Sequence, residues 1–294
     1  MFYRRKVILA LFQLFDGQLE KIRLQKLLFL FSQCQLKAEY DFIPYKYGCY
    51  SYSANADLTT MVKKGMLTET ESSFSSNEKT DYLKGLKASD KKSLLEIKAL
   101  YGKMNSNALM KHTYINYPFF AINSVKANAI LTKEELEKVY SYKPKTTKTI
   151  LFTIGYEGIS LEEYLNRLLK NNVKILVDVR NNPQSMKYGF SKNQLVKYCE
   201  SIGIKYVHFP EVGIQSEQRQ QLNAQVDYDK LFEAYKKENL EKTKSTQTVI
   251  LNLLKEHKRI ALTCFEANIC QCHRKYLAES IESLPGFEYE IKHI

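Results

Sequence analysis

The residues best suited to chemistry in this 294-residue chain lie in three short stretches of its second half. Cys264-Phe265-Glu266 is followed a few residues later by Cys272-His273-Arg274. Asp178-Val179-Arg180 leads into Asn181-Asn182-Pro183-Gln184-Ser185, and Gly155-Tyr156-Glu157-Gly158 closes an apolar run. Carboxylates and an imidazole can move protons. A thiol beside them can act as a nucleophile, and arginines can hold an anion. Asp178, Glu266 and His273 are therefore acid/base candidates, and Cys264 is the candidate nucleophile. Candidate ligand contacts are Thr153, Gly155, Tyr156, Glu157, Arg180, Pro183, Ser185, Cys272 and Arg274. Each has a plainer reading. Asp178 and Arg180, two apart on a strand, face the same side and can simply pair. A cysteine ending a buried strand is often a small hydrophobe. His273 can support a helix start, and Gly155 can be there for close backbone passage. Cys264, Cys270, Cys272 and His273 invite a zinc reading. Their spacing is not a standard pair of clips, and adjacent Cys272 and His273 would strain to share one ion. No metal ligand is assigned, and no cofactor is identified.

These residues must be positioned by alternating strands and helices. Residues 149–158 and 173–180 read as strands, separated by a helix at 160–172 with Ser160 and Glu163 forming a capping box. A helix over 191–203 has Ser191 as N-cap and Gly203 as stop. Strands follow at 204–211 and 259–266, with helical stretches between them at 227–240 and 247–258. A last helix covers 273–284, and 287–294 reads as a final edge strand. Alternation of this kind predicts an α/β fold: a parallel sheet with helices on both faces. Ligands of such sheets bind beyond the carboxyl ends of the strands. The three polar stretches all end strands, so they are expected to converge on one edge.

The order TIGYEG, LVDVRNNPQS, FSKNQL, ALTCFEANICQCHR closely resembles the domain-of-unknown-function 488 family over about residues 149–294. That family shows T-I-G after its first strand, D-V-R-x-x-P-x-S after its second, and a final C-x-E…C-H-R. The resemblance implies an α/β domain with a polar pocket and carries no agreed reaction. Its motif positions here are Thr153, Gly155, Asp178, Arg180, Pro183, Ser185, Cys264, Glu266, Cys272, His273 and Arg274. Two departures stand out: Phe209 to Gly213 replaces a Leu-Gly-Gly turn, and Cys270 is extra.

The first half, residues 1–140, reads as mainly helical. RKVILALFQLF and RLQKLLFLFSQCQL each place apolar residues on a helical face. The first of these follows basic residues, as in a signal peptide, but it contains Gln13 and Asp16 and no small-residue cleavage site, so it reads as a helix. IPYKYGCYS is a tyrosine-rich turn, residues 54–65 form a helix ending at Gly65, and a strand and a wing with a polar tip near 74–85 follow. Helices are expected over 91–103 and near 106–116. Helix, helix, turn, helix and wing is the order of a winged helix. RLQKLLFLF, YKYGCYS, KKGML and LMKHTYINYPFFAINS also resemble the YwgA-type and SocA/Panacea groups. That resemblance implies a winged-helix-like module for DNA or a protein partner, without a catalytic site. The polar, basic segment 141–149, with Pro144, reads as the linker between the halves.

Charge separates the halves. Residues 1–148 hold 24 Lys and Arg against 14 Asp and Glu, a net +10, whereas 149–294 hold 20 against 18, a net +2. A basic module attracts polyanions, so nucleic acid is the expected partner, DNA before RNA. A lysine-rich solvated surface is the plainer reading. Six cysteines in a chain of this length fit reduced thiols in a bacterial cytoplasm, and no apolar run is long enough to span a membrane. Three functions fit. The first is a nucleic-acid-binding protein with a processing or modifying site in its second half. The second is a non-catalytic regulator sensing a nucleotide or other anion. The third is a thiol-dependent enzyme of sulfurtransferase type; the glycine-free loop after Cys264 argues against close mimicry of a rhodanese anion cradle.

Overall fold

Runs of leucine and phenylalanine build the first helices of the chain, and β-branched runs build the later strands. The computed structural model describes residues 1–215, 218 and 225–294. Two compact units result, Met1–Lys143 and Pro144–Ile294.

The first unit opens with α1 (Tyr3–Leu14), β1 (Gln18–Glu20) and α2 (Lys21–Ser32). Val7 to Phe12 of α1 are all buried, as are Leu24 to Ser32 of α2. Helices apolar nearly all round are central rather than surface elements. The hairpin β2 (Ile43–Tyr45) and β3 (Gly48–Tyr50) leads into α3 (Tyr52–Lys63). Ser51 caps α3 by accepting from the Ala54 N–H, and Gly65, at φ +71°, follows its end in the left-handed region that glycine favours. Strands β4 (Thr68–Glu69) and β5 (Ser73–Ser75) pair antiparallel, and β1 joins them in the order β1-β5-β4. Then come α4 (Ala88–Tyr101), α5 (Ser106–Asn116), α6 (Ala127–Ile130) and α7 (Lys133–Ser141). Buried Asp57 of α3 binds Arg4 and Arg5 of α1, each at 2.6 Å, and accepts from the Tyr40 hydroxyl at 2.9 Å.

The strand hairpin here differs from the expected wing. Its tip is residues 70–72, not the polar run near 77–80, because Thr70 and Ser73 exchange hydrogen bonds and close the turn early. Strand β1 was unforeseen, since three residues are too few for a periodic signal.

The second unit runs β6 (Ile150–Gly155), α8 (Leu161–Lys170), β7 (Ile175–Asp178), α9 (Lys192–Ser201) and β8 (Lys205–His208). After α10 (Gln225–Ala234) and a π-helical turn over Tyr235–Leu240 come α11 (Lys244–His257), β9 (Arg259–Cys264), α12 (His273–Glu282) and β10 (Glu290–His293). The sheet is parallel throughout, in the order β10-β6-β9-β7-β8. The expected α/β class and the edge position of the last strand hold.

Side-chain alternation assigns the faces. Leu151, Ile175, Val177, Ile260, Leu262 and Cys264 pack with Leu251, Leu254, Leu277 and Ile281, so α11 and α12 cover that face. Thr263, of opposite parity, accepts from the Tyr164 hydroxyl of α8 at 2.8 Å, so α8 lies on the other. Among the described residues, no helix is long and apolar enough to cross a membrane.

Candidate functional site

The three polar stretches do reach the carboxyl edge of the sheet, but they form two clusters rather than one. Asp178 pairs with Thr263, and both face α8. Cys264 has the opposite parity and faces α12. The registers that bring the strand ends together also send their side chains to opposite faces.

On the α8 face, Asp178 is fully buried and Arg180 is 5% exposed. Arg180 Nε and Nη2 donate to the Asp178 carboxylate at 2.5–3.1 Å. Its Nη1 donates to the Tyr156 hydroxyl at 2.8 Å and to the Phe190 carbonyl at 2.9 Å. Burial disfavours this guanidinium, but the hydrogen bonds and charge of Asp178 outweigh that cost and hold its pKa above the ordinary arginine value. Tyr206 of β8 donates to Asp178 at 2.6 Å, and burial, then the carboxylate's charge, raises the phenol's pKa. Tyr156 stacks flat on Phe190 at 4.2 Å. This cluster is an internal ion pair tied to its surroundings by hydrogen bonds. It joins β7, β8 and the loop after β6.

On the α12 face, Cys264, Cys272 and His273 are 2%, 0% and 1% exposed. Cys264 Sγ lies 3.7 Å from His273 Nδ1 and donates to Glu266 Oε2 at 3.1 Å. His273 Nε2 is 2.9 Å from the Val179 carbonyl oxygen. A carbonyl only accepts, so Nε2 carries a proton and, in the neutral ring, the Nδ1 lone pair faces the sulfur. Burial, then the neighbouring Cys264, pushes the Cys272 thiol well above its usual range. The sulfurs of Cys264 and Cys272 and a ring nitrogen of His273 lie within 4.8 Å of one another. Cys272 and His273, though adjacent, both turn their donor atoms toward Cys264. Cys272 is extended (φ −131°, ψ 131°) and His273 begins the helix, so this break in backbone geometry lets consecutive side chains converge. Cys270 is exposed and stands outside the cluster.

The loops over this edge are tightly stitched. Tyr156 and Glu157 N–H donate to the Phe265 carbonyl, and Glu157 Oε2 accepts from the Ala267 N–H at 2.9 Å. Arg274 Nη1 donates to the Glu266 carbonyl at 2.5 Å, and Nη2 to the Ala267 carbonyl. A Cβ on Gly155 would sit 2.0 Å from the Glu266 carbonyl oxygen, which is why no side chain fits there. Thr153 lies deeper and shares a 2.8 Å hydrogen bond with His293 of β10. Pro183 accepts from the Lys192 N–H, and Ser185 exchanges backbone hydrogen bonds with the Ser191 hydroxyl. Ser191 does sit at the N-cap position of α9, but its hydroxyl serves the 181–191 loop rather than the helix.

Sequence reasoning passed over Tyr206, His208, Phe190, Lys187 and Tyr235. His208 faces the Arg180 carbonyl at 2.8 Å, Lys187 Nζ donates to the Tyr156 carbonyl at 2.5 Å, and Tyr235 packs edge-on against His273. Their only linear signal was aromatic or polar character near strand ends, without the strand order that makes them neighbours.

Fold and site together define a parallel α/β domain with two buried polar clusters at its carboxyl edge. A domain of the family described as Domain of unknown function DUF488 is found at residues 160–281, a range that includes Asp178, Arg180, Cys264, Glu266, Cys272 and His273. No curated protein matches the chain.

Proposed function

We propose that this chain binds nucleic acid through its basic first unit and carries a processing or modifying site at the carboxyl edge of the second unit's sheet. The observation that carries the reading is the charge distribution: net +8 over Met1–Lys143 (22 Lys and Arg against 14 Asp and Glu) and +4 over Pro144–Ile294 (22 against 18). The element order α1-β1-α2-α3-β4-β5, with a hairpin inserted before α3 and a sheet ordered β1-β5-β4, supports a winged-helix reading of the first unit, in line with the YwgA-type and SocA/Panacea resemblance. In that reading α3 is the recognition helix. Its outward side bears Asn55, Thr59 and Lys63, with Lys64 just beyond. At the second site, Glu266 and His273 supply acid/base capacity, and Asp178 and Arg180 hold the strand ends in place.

Fluorescence-polarisation titration of the full chain against labelled single- and double-stranded DNA and RNA tests this, at two salt concentrations and with product analysis. Binding that weakens steeply with salt, and weakens again in a Lys63→Glu, Lys64→Glu double variant, is the expected result. No binding at low salt would sink the reading and turn attention to a protein partner. Tight binding of a nucleotide or other anion without turnover would favour the regulator.

A second reading rests on the 3.7 Å approach of Cys264 Sγ to His273 Nδ1: thiol-dependent chemistry, with His273 drawing the proton from Cys264. Stoichiometric, rapid alkylation of Cys264 in the native protein is its expected signature.

A further inference from the structure

We propose that Cys264, Cys272 and His273 bind a zinc ion, with the Glu266 carboxylate at the fourth position. Nothing in the nucleic-acid reading requires this, and it competes directly with free-thiol chemistry, because an ion would occupy the same sulfurs.

The geometry fits. A tetrahedral zinc with usual Zn–S and Zn–N bond lengths sets its sulfur and nitrogen ligands about 3.6 Å apart. Cys264 Sγ and His273 Nδ1 are 3.7 Å apart, and all three donor atoms fall within 4.8 Å of one another. The ring is already oriented for ligation. Its Nε2–H is held by the Val179 carbonyl at 2.9 Å, the outer-shell contact that typically fixes a metal-bound imidazole, and Tyr235 packs against its edge. The donors also sit on rigid elements, at the end of β9 and the start of α12, rather than on a loose loop.

Ligand chemistry selects the ion. Two sulfurs and an imidazole suit zinc and disfavour magnesium or calcium, which prefer oxygen. Binding releases the two thiol protons to solvent, leaving two thiolates. With a Glu266 carboxylate these carry three negative charges against the ion's two positive. The Arg274 guanidinium, bonded to the Glu266 carbonyl, supplies the balancing charge.

One corner of the site lies nearer the surface than the others. The three ligands are buried, whereas Glu266 is half-buried and its Oε2 is 3.1 Å from Cys264 Sγ. The less buried corner is therefore the one the Glu266 carboxylate takes.

The test is metal analysis of the full chain purified from zinc-supplemented cells, followed by exchange with cobalt(II). About one zinc per chain is expected. The cobalt form is expected to show a thiolate-to-cobalt charge-transfer band and the intense visible bands of four-coordinate cobalt. Glu266→Gln should keep the metal and alter the visible bands, and Cys272→Ser should lose both. If Cys272→Ser does not fold, the wild-type cobalt spectrum decides alone. Substoichiometric zinc after incubation with equimolar metal would overturn the proposal, as would cobalt without a thiolate band or a Cys264–Cys272 disulfide in protein purified with reductant.

Discussion

The two clusters at the carboxyl edge of the sheet are built from similar raw material and end in different chemical states. On the α8 face a hard ion pair takes a hydrogen bond from Tyr206, and the Tyr156 hydroxyl and Phe190 carbonyl accept from Arg180 Nη1. On the α12 face soft donors converge beside a half-buried carboxylate. The first is a charge pair held by hydrogen bonds; the second is a set of thiol, imidazole and carboxylate groups in mutual contact. A buried charge must be neutralised locally, so Asp178 and Arg180 consume each other. Buried thiols carry no charge that must be neutralised in this way.

That contrast can be broken by substitution. The largest expected effect is from Arg180→Met, which leaves Asp178 buried without its cation. A loss of about 3–5 kcal/mol is expected in urea unfolding of the full chain. An effect below about 1 kcal/mol would mean the ion pair is not the internal clasp described. Cys264→Ser, by contrast, should cost far less stability while abolishing any metal or thiol function, and the opposite ranking of the two variants would invert the comparison.

Gly155→Ala comes next. Its Cβ would meet the Glu266 carbonyl at 2.0 Å, so overpacking of about 1–3 kcal/mol is expected. Because that carbonyl belongs to the loop bearing Glu266, altered reactivity at Cys264 should accompany the loss. Tyr206→Phe removes one hydrogen bond to a buried carboxylate and should cost about 1.5–3 kcal/mol without altering Cys264. Coupling between Tyr206→Phe and Cys264→Ser in a double-mutant cycle would show that the two faces communicate.

The smallest effect is in pH. Burial, then Arg274, depresses the His293 pKa below the ordinary 6.5. The unfolded chain therefore binds this proton more readily than the folded one. Stability from this group is fully present above about 6.5 and is lost as pH falls through the lower folded value. A pH titration of unfolding in wild type and His293→Gln should differ only in that acidic window.

Much of the second unit was legible in the linear chain. Ser160 accepts from the Glu163 N–H as its capping pattern foretold, and the strands at 150–155, 175–178, 205–208 and 259–264 follow β-branched and apolar runs. The first unit was less so at its sheet. β1 and β4 span three and two residues, and their pairing depends on Gly17 and on the Thr70–Ser73 turn rather than on periodicity.

By itself the sequence determined the parallel α/β class, the place of its strands and which polar residues follow them, because these depend on short-range periodicity and turn chemistry; strands β6 to β9 end two or three residues earlier than expected. It also set the parity along each strand, so that Asp178 and Arg180 share a side. Only the tertiary structure decided that β9 inserts between β6 and β7, that Cys264 therefore faces α12 while Asp178 faces α8, and that Tyr206 and His208 lie beside the β7 end. Strand order and register are long-range choices made by the packing of whole faces. No local pattern could have divided one expected cluster into two.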